Sequence, residues 1–201
     1  MIRKILQKED PALHKVCHPV TSFDRKLGAL LDDLTATLKD AQGLGLAAPQ
    51  IGILRRVCVV MDEDEQYLEL VNPVIVSQEG EQEGFEGCLS LTGMYGIVKR
   101  PMKVTVKAQD RHGNPVEYER EGVTARCFCH EIEHLDGHMY YERAGRLFTE
   151  AEVDEMLQKA EEEAYCRPVG AVRRGERHED SIHGHAGFCR ALAGGPGGRR
   201  T

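Results

Sequence analysis

The chain has 201 residues and a formal net charge of −7. This length suits a single domain, no apolar run approaches the ~20 residues that a membrane-spanning helix needs, and the negative charge argues against nucleic acid as the main partner. The charged segment Lys8–Asp10 interrupts any apolar stretch of the signal-peptide kind. Seven cysteines without a regular framework favour a reducing compartment, so we expect a cytoplasmic protein.

The first part of the chain predicts an arm, a helix and two strands. Residues 1–20 contain prolines and scattered apolar side chains, which indicate an extended arm. Leucines recur at helical spacing from Phe23 to Lys39 and predict an amphipathic helix. The β-rich runs Arg56–Met61 and Leu70–Val76 predict strands.

Between the helix and the first strand lies Gly43–Gln50, with the sequence GLGLAAPQ. No Lys-Ser/Thr pair follows its glycines and no GxGxxG is completed, which disfavours a phosphate-binding loop. Two close glycines followed by small residues suit a place where a substrate backbone approaches the protein backbone, with Gln50 as a neutral amide donor. The alternative is a simple helix-to-strand turn with a surface glutamine.

The central part of the chain predicts antiparallel sheet. The acidic segment Gln78–Glu86 is expected to form a loop, and Glu86–Ser90 (EGCLS) continues it with a cysteine after a glycine. Beyond it, alternation of apolar and polar residues predicts three strands, with a hairpin turn at Asp110–Asn114. These strands are Tyr95–Pro101, Met102–Asp110 and Pro115–Glu121.

The segment His130–His134 reads HEIEH. In the predicted helix Val123–Asp136, which Gly137 would end, its two histidines lie one turn apart on one face and can bind one metal ion. Glu131 can then hold a water molecule beside that ion and act as its base. The motif predicts a metal-dependent hydrolase.

A third ligand has to come from outside this helix. Cys127 lies seven residues before His134, about 10 Å along a helix, so the two cannot share an ion. A downstream glutamate, Glu150 or Glu152, is possible. Cys88 is favoured, because a thiolate suits Zn²⁺ or Fe²⁺ and the predicted loop can approach the helix freely.

The C-terminal part changes in composition. Thr149–Glu152 (TEAE) is a capping box that predicts a third helix. Residues 166–201 hold eight glycines, seven arginines, no lysine and only three acidic residues. We expect residues 1–165 to form one catalytic domain and 166–201 a disordered tail. The histidines and Cys189 of this tail lack paired metal-ligand spacing.

Three segments in this order resemble the signature motifs of the peptide deformylase family: GLGLAAPQ at 43–50, EGCLS at 86–90 and HEIEHLDG at 130–137. The resemblance covers about residues 1–160. It implies removal of the formyl group from N-formylmethionine on new bacterial polypeptides. It also implies an α+β fold, with antiparallel β-sheets packed around the HExxH helix, the amphipathic helix before it and a helix after it.

The resemblance further implies a role for each matching residue. Glu131 would be the general base and then the acid, while Gln50 and the backbone N–H of Leu89 would donate to the oxyanion. One divalent metal ion is implied, Fe²⁺ as the usual native metal, with Zn²⁺, Ni²⁺ or Co²⁺ as substitutes. Its ligands would be Cys88, His130 and His134.

Substrate contacts are implied in the same way. Leu44 and Gly45 would pair with the substrate backbone as an added strand. Arg100 matches an arginine near the substrate mouth, and Gly87 is also implied in substrate binding. The positions around the methionine pocket are Val123, Arg126, Cys127 and His130.

The chain departs from the family's usual residues at three positions. The family usually has Asp at the position of Glu133 and Gln at that of Cys129, and often Pro at that of Thr92. These departures bear on metal preference and catalytic rate rather than on the reaction. In addition, Arg126 would narrow or charge one wall of the methionine pocket.

The implied partners are N-formylmethionyl nascent peptides and a ribosome contact near the exit tunnel. We expect no membrane partner, no direct DNA binding and a monomer. Two other functions are compatible with HExxH alone. One is a zinc endopeptidase of a different family, which would cleave internal bonds of unformylated peptides. The other is a metal-binding or ribosome-associated module without turnover.

Overall fold

The structure, a computed structural model, describes residues 1–165, so the predicted tail at 166–201 lies outside the described residues. The helices are α1 (Arg25–Ala41), α2 (Gly122–Leu135) and α3 (Glu150–Tyr165). The strands are β1 (Gly45–Ala47), β2 (Val57–Met61), β3 (Tyr67–Glu79), β4 (Gln82–Cys88), β5 (Leu91–Arg100), β6 (Lys103–Gln109), β7 (Pro115–Glu121) and β8 (Leu147–Thr149). Short 3-10 helices cover Pro11–His14, Ala48–Ile51 and Tyr140–Glu142. Within residues 1–165, no helix is long and apolar enough to cross a membrane.

The strands form two antiparallel sheets. One has five strands in the order β1-β2-β3-β6-β7, and the other has three in the order β4-β5-β8. The chain therefore leaves the first sheet after β3 and returns to it at β6, with the β4–β5 hairpin between. This arrangement of helices and antiparallel sheets confirms the predicted α+β class.

Two apolar clusters hold the helices against the five-stranded sheet. Phe128 and Ile132 of α2 pack in one cluster with β2, β3 and β6. Leu31 and Leu34 of α1 pack in another with Val57 of β2. Each such fully buried side chain contributes about 1.5–3 kcal/mol. Helix α2 is therefore fixed mainly against one sheet, and its opposite face remains for polar residues.

The predicted amphipathic helix is present and shifted by two residues toward the C-terminus. Asp24 is its N-cap and accepts hydrogen bonds from the backbone N–H groups of Lys26 and Leu27. The helix ends at Gln42, which adopts a left-handed conformation with φ 53°. Local capping thus sets both ends of α1 more sharply than its leucine pattern does.

The predicted loop at Gln78–Glu86 is wrong. Strand β3 continues to Glu79, and β4 begins at Gln82 and pairs with β5 from Arg100 to Gly96. Glu81 and Glu83 are exposed on this hairpin, where Lys99 pairs with them at 3.0 and 3.6 Å. Backbone pairing and cross-strand charges make a strand here without the apolar alternation that usually announces one.

Candidate metal centre

Helix α2 brings the two histidines of HEIEH together. His130 and His134 lie one helical turn apart on one face, with ring centroids 4.9 Å apart and ring planes at 79°. Both side chains are buried. Burial of two imidazoles side by side requires polar partners for their ring nitrogens.

Cys88 reaches this pair from the other sheet. It is the last residue of β4, and the register of the hairpin shifts between Glu86 and Cys88, just before the turn into β5. The Sγ atom lies 3.3 Å from Nε2 of His134. Cys88 thus lies at the end of a strand rather than in the free loop that the sequence predicted.

The three donor atoms fit a metal ion. One ligand atom each from Cys88, His130 and His134 lies within 4.8 Å of the others, and all three residues are buried. Zn²⁺ at about 2.3 Å from sulfur and 2.0–2.1 Å from nitrogen in tetrahedral geometry separates the donors by roughly 3.5 Å. Nδ1 of His130 lies 3.1 Å from a carboxylate oxygen of Glu86, which leaves Nε2 for the ion. One thiolate and two imidazoles match the preferences of Zn²⁺ and Fe²⁺.

Glu131 lies beside these donors with one oxygen uncommitted. The residue is buried, and its Oε2 has no hydrogen-bond partner within the described part of the chain. Burial raises the pKa of the carboxyl to about 7. A carboxylate near this pKa can both accept and return a proton at neutral pH. Gly45 of β1 makes room for it, because a Cβ there would meet Oε1 of Glu131 at 2.4 Å.

The Gln50 side chain is fixed beside Cys88. Its Oε1 accepts from the backbone N–H of Ala47 at 2.8 Å, and its Nε2 donates to Oγ of Ser90 at 3.2 Å and lies 3.5 Å from Sγ of Cys88. Gln50 is buried, which excludes the alternative of a surface glutamine. Leu89 follows Cys88 directly, and its carbonyl accepts from Nε2 of Gln7 at 3.3 Å. The amide of Gln50 and the backbone at Leu89 therefore both border the metal donors.

Arg100 and Arg126 are held by internal partners. Nε and Nη2 of Arg100 form two hydrogen bonds to Glu86 at 2.8 and 2.9 Å, and its Nη1 pairs with Glu133 at 2.7 Å. Arg126 donates to the same Glu86 at 2.9 Å. Burial opposes the charge on Glu86, but hydrogen bonds from Arg100 and His130 hold its pKa below its usual range. Both guanidinium groups thus contact Glu86, the same carboxylate that contacts Nδ1 of His130. These contacts lend no support to the predicted substrate contacts of Arg100 or to a charged pocket wall at Arg126.

The other predicted substrate residues lie at two places. Leu44 and Val123 line a surface cavity together with residues 61–63. Cys127 packs against Gly45, since a Cβ on that glycine would meet its Sγ at 2.7 Å. Gly87 lies in β4 beside Cys88. Contact of these residues with a substrate stays a prediction.

The predictions at the edges of the site have mixed outcomes. Glu152 is engaged in the capping box with Thr149, whose backbone N–H donates to its carboxylate at 2.7 Å, so this downstream glutamate has a structural partner. Cys129 is buried and Thr92 is exposed. Glu133 joins the arginine network and also pairs with Arg143 at 2.5 Å. Of the three departures from the family's usual residues, only Glu133 thus enters the polar contacts behind the ligands.

Sequence reasoning missed three residues that orient the ligands. Glu86 holds the ring of His130, and the backbone N–H of Ser90 donates to Sγ of Cys88 at 3.4 Å. Both lie inside EGCLS, so their place in that motif was a usable signal. The ring of Tyr140 stacks on that of His130 at 5.8 Å, with its hydroxyl donating to the carbonyl of Met94. Nothing in the sequence around Tyr140 indicates this contact.

Comparison with known proteins points in one direction. The sequence model described as polypeptide deformylase matches residues 2–149. A peptide deformylase of Caldicellulosiruptor bescii is 48% identical over 154 residues, which are 77% of this chain and 92% of that protein. One of Lachnoclostridium phytofermentans is 48% identical over 80% of this chain and 97% of its own length.

Solved structures give the same result. A peptide deformylase from Legionella pneumophila superposes with a TM-score of 0.69 at 41% identity, covering 84% of this chain and all of that one. The enzyme of that name from Thermotoga maritima gives a TM-score of 0.70 at 35% identity, over 73% of this chain and 99% of its own. Both the sequence and the fold are thus shared with these proteins over nearly their whole length.

Proposed function

Because this chain belongs to the polypeptide deformylase family, we propose that it is a metal-dependent hydrolase that removes the formyl group from N-formylmethionine of newly made polypeptides and releases formate. The observation that carries the proposal is the convergence of Cys88, His130 and His134 beside the uncommitted carboxylate of Glu131. A general metal-binding module has no need for that buried carboxylate.

The metal is held, in this proposal, by Sγ of Cys88 and by one ring nitrogen each of His130 and His134. When bound, a divalent ion lowers the pKa of a coordinated water molecule toward neutrality and polarises a carbonyl oxygen. Fe²⁺ is our first choice, and Zn²⁺, Ni²⁺ or Co²⁺ would fill the same donor set. The Cys88 thiolate is the group that is most easily oxidised in such a site.

The residues divide the chemical work. Glu131 accepts the proton of the attacking water and then returns it to the leaving amine. Nε2 of Gln50 and the backbone N–H of Leu89 donate to the oxyanion that forms on the formyl oxygen, and one such donor is typically worth 10²–10³-fold in kcat. Leu44 and Gly45 pair with the substrate backbone as an additional strand.

The cellular setting follows from the substrate. Nascent N-formylmethionyl chains emerge at the ribosome, so we propose a cytoplasmic monomer that contacts the ribosome near its exit tunnel. Neither a membrane nor DNA is needed as a partner for this reaction.

Formate release tests the function directly. The protein is purified without oxygen, its metal content is determined, and formate release from formyl-Met-Ala-Ser is measured with and without chelator. We expect activity that the chelator removes and that Fe²⁺ or Ni²⁺ restores. Cleavage inside an acetylated, unformylated peptide of matched sequence would instead indicate the endopeptidase. Metal binding without either reaction would indicate a module without turnover.

Cys88→Ser tests the ligand assignment. The hydroxyl of serine is a far poorer ligand than a thiolate for Zn²⁺ or Fe²⁺, so the variant should lose metal on gel filtration while the wild type retains it. Metal content is measured by mass spectrometry of the protein fraction. Cys17→Ser, at a buried thiol that is not among the three converging donors, is the control and should retain metal. Full metal retention in Cys88→Ser would point to a different third ligand.

A further inference from the structure

The side chain of Arg126 extends from α2 to the β4–β5 hairpin. It lies on α2 one turn before His130, and it is only 3% exposed. Its Nη1 donates to Oε1 of Glu86 and to the carbonyl of Val98, both at 2.9 Å, and approaches the carbonyl of Gly84 at 3.4 Å. One side chain of the helix thus contacts both strands of the β4–β5 hairpin.

This contact matters because the metal ligands belong to two separate layers. His130 and His134 are on α2, whose apolar side chains cluster with the five-stranded sheet. Cys88 is on β4, and it clusters with Val98, Met139 and other residues outside α2. Among residues 1–165, these two buried clusters have no member in common. Between the two layers, the ring of Tyr140, a member of the Cys88 cluster, stacks on the ring of His130 at 5.8 Å.

Polar contacts centred on Glu86 add further connections between the two layers. Glu86 lies two residues before Cys88, accepts from Arg126 and Arg100, and contacts Nδ1 of His130. Arg100 belongs to the hairpin itself and continues to Glu133 of α2. Loss of one guanidinium from such a buried network leaves a carboxylate with too few partners.

We propose that Arg126 is a positioning residue, which ties α2 to the β4–β5 hairpin and so keeps Cys88 within bonding reach of His130 and His134. The proposal rests on the metal site assigned above, but it concerns how that site is held and not which reaction it performs. The expectation that Arg126 narrows or charges one wall of the methionine pocket stays a separate prediction. A long side chain with a permanent charge suits this task, because its Nη1 lies near a carboxylate oxygen and near carbonyls of both strands.

Arg126→Met in the full-length chain tests this positioning role. Methionine keeps an unbranched, flexible stem but has no donor. Wild type and variant are loaded with Co²⁺, and metal release to excess chelator is followed through the near-ultraviolet thiolate-to-cobalt absorption. We expect release 10–100-fold faster in the variant, as is typical when a residue that orients a metal ligand is lost. Arg111→Met is the matched control, because Arg111 pairs with Asp32 and Glu69 at the surface and should release Co²⁺ as the wild type does.

The tie can be separated from a merely structural role. If Arg126→Met lowers the Tm but releases Co²⁺ at the wild-type rate and with the same thiolate absorption, Arg126 serves stability only and the proposal is wrong. If Arg126→Met does not fold, Arg126→Lys decides, since lysine keeps the charge but its side chain is one bond shorter, so its ammonium falls short of the place that Nη1 occupies. Faster release from the lysine variant supports the tie, and an unchanged rate overturns it. A wild-type protein that binds Co²⁺ without thiolate absorption would refute the metal site itself, whatever Arg126 does.

Discussion

At the scale of single residues, the proposed function assigns the role of general base to Glu131. Glu131→Gln keeps the size and a hydrogen-bonding group but removes the proton acceptor, so we expect unchanged metal content and a loss of about 10²–10⁴-fold in kcat. The measurement is formate release from formyl-Met-Ala-Ser together with metal analysis of the same sample. Glu133→Gln, two residues along the helix, is the comparison and should keep more activity, because Glu133 pairs with Arg100 and Arg143. Equal loss in both variants would remove Glu131 from its role as base.

Gly45 sets how closely β1 approaches this carboxylate. A Cβ at residue 45 would lie 2.4 Å from Oε1 of Glu131 and 2.7 Å from Sγ of Cys127, so Gly45→Ala must displace one of them. Displacement of a catalytic group by about 1 Å can cost 10²-fold, and we expect a loss of that order in kcat/KM with metal retained. The check is steady-state kinetics beside metal content. Wild-type kinetics would mean that the strand moves aside and that Glu131 keeps its place.

The contrast between Glu131 and Arg126 shows what sequence could and could not provide for the site. In any helix, His130 and His134 lie on one face and Glu131 is adjacent to His130. Local geometry was therefore sufficient to predict this part of the site. Arg126 lies on the same helix, yet the direction of its guanidinium depends on Glu86 and Val98 in strands that pair elsewhere. That information is not local, so the sequence did not indicate the contacts of Arg126 with Glu86 and Val98.

At the scale of elements, the end of α2 controls where HEIEH lies. The N–H of Gly137 donates to the carbonyl of His134 at 3.2 Å, and the N–H of His138 to that of Glu133 at 3.0 Å, which is the hydrogen-bonding pattern of a Schellman motif. Gly137 has φ 82°, and a Cβ there would lie 3.0 Å from the backbone of His14. Glycine is therefore required at this turn for two reasons: the left-handed backbone conformation and the close packing of the N-terminal arm.

Gly137→Ala should therefore destabilise the protein. A residue forced into the left-handed region costs about 1–3 kcal/mol, and the contact with the arm adds to this. Chemical denaturation of the metal-free protein provides the measurement. Gly28→Ala in α1 is the opposite control, because nothing lies within 4 Å of its Cβ and alanine should stabilise the helix by about 0.5–1 kcal/mol. Equal free energies of unfolding for Gly137→Ala and the wild type would contradict this view of the helix end.

Strand β4 is the element that the sequence concealed. Its acidic residues resemble a loop, because only Phe85 and Cys88 interrupt them with apolar side chains, whereas β7 follows the expected alternation. What makes β4 a strand is its partner β5, including the cross-strand pair of Glu83 with Lys99. Local periodicity predicted the helices and the alternating strands. It did not predict β4, because the pairing of this strand with β5 leaves no apolar alternation in its sequence.

At the scale of the whole molecule, the described residues contain every group that the proposed reaction uses. The family match ends at residue 149, and the aligned part of the chain spans 92–97% of the two bacterial relatives. The sequence-based boundary at residue 165 falls after α3, whose Val153 is buried in a cluster with Tyr95 of β5. Helix α3 thus belongs to the packed unit, and we predict that the proposed reaction does not need residues 166–201.

A deletion of residues 166–201 tests this boundary. We expect the 1–165 chain to keep the wild-type Tm and kcat/KM within about twofold, since no predicted ligand, base or oxyanion donor is removed. A chain ending at residue 149 is the matched control and should unfold at a lower temperature, because it exposes the face of Tyr95 that Val153 covers. Thermal unfolding and formate release are measured on all three chains. If the 1–165 chain loses its activity while it keeps its metal, the tail contributes to catalysis and the boundary is wrong. If formate release falls only for nascent chains on ribosomes and not for free peptides, the arginine-rich tail supplies the proposed ribosome contact. Its seven arginines are then the groups to neutralise next.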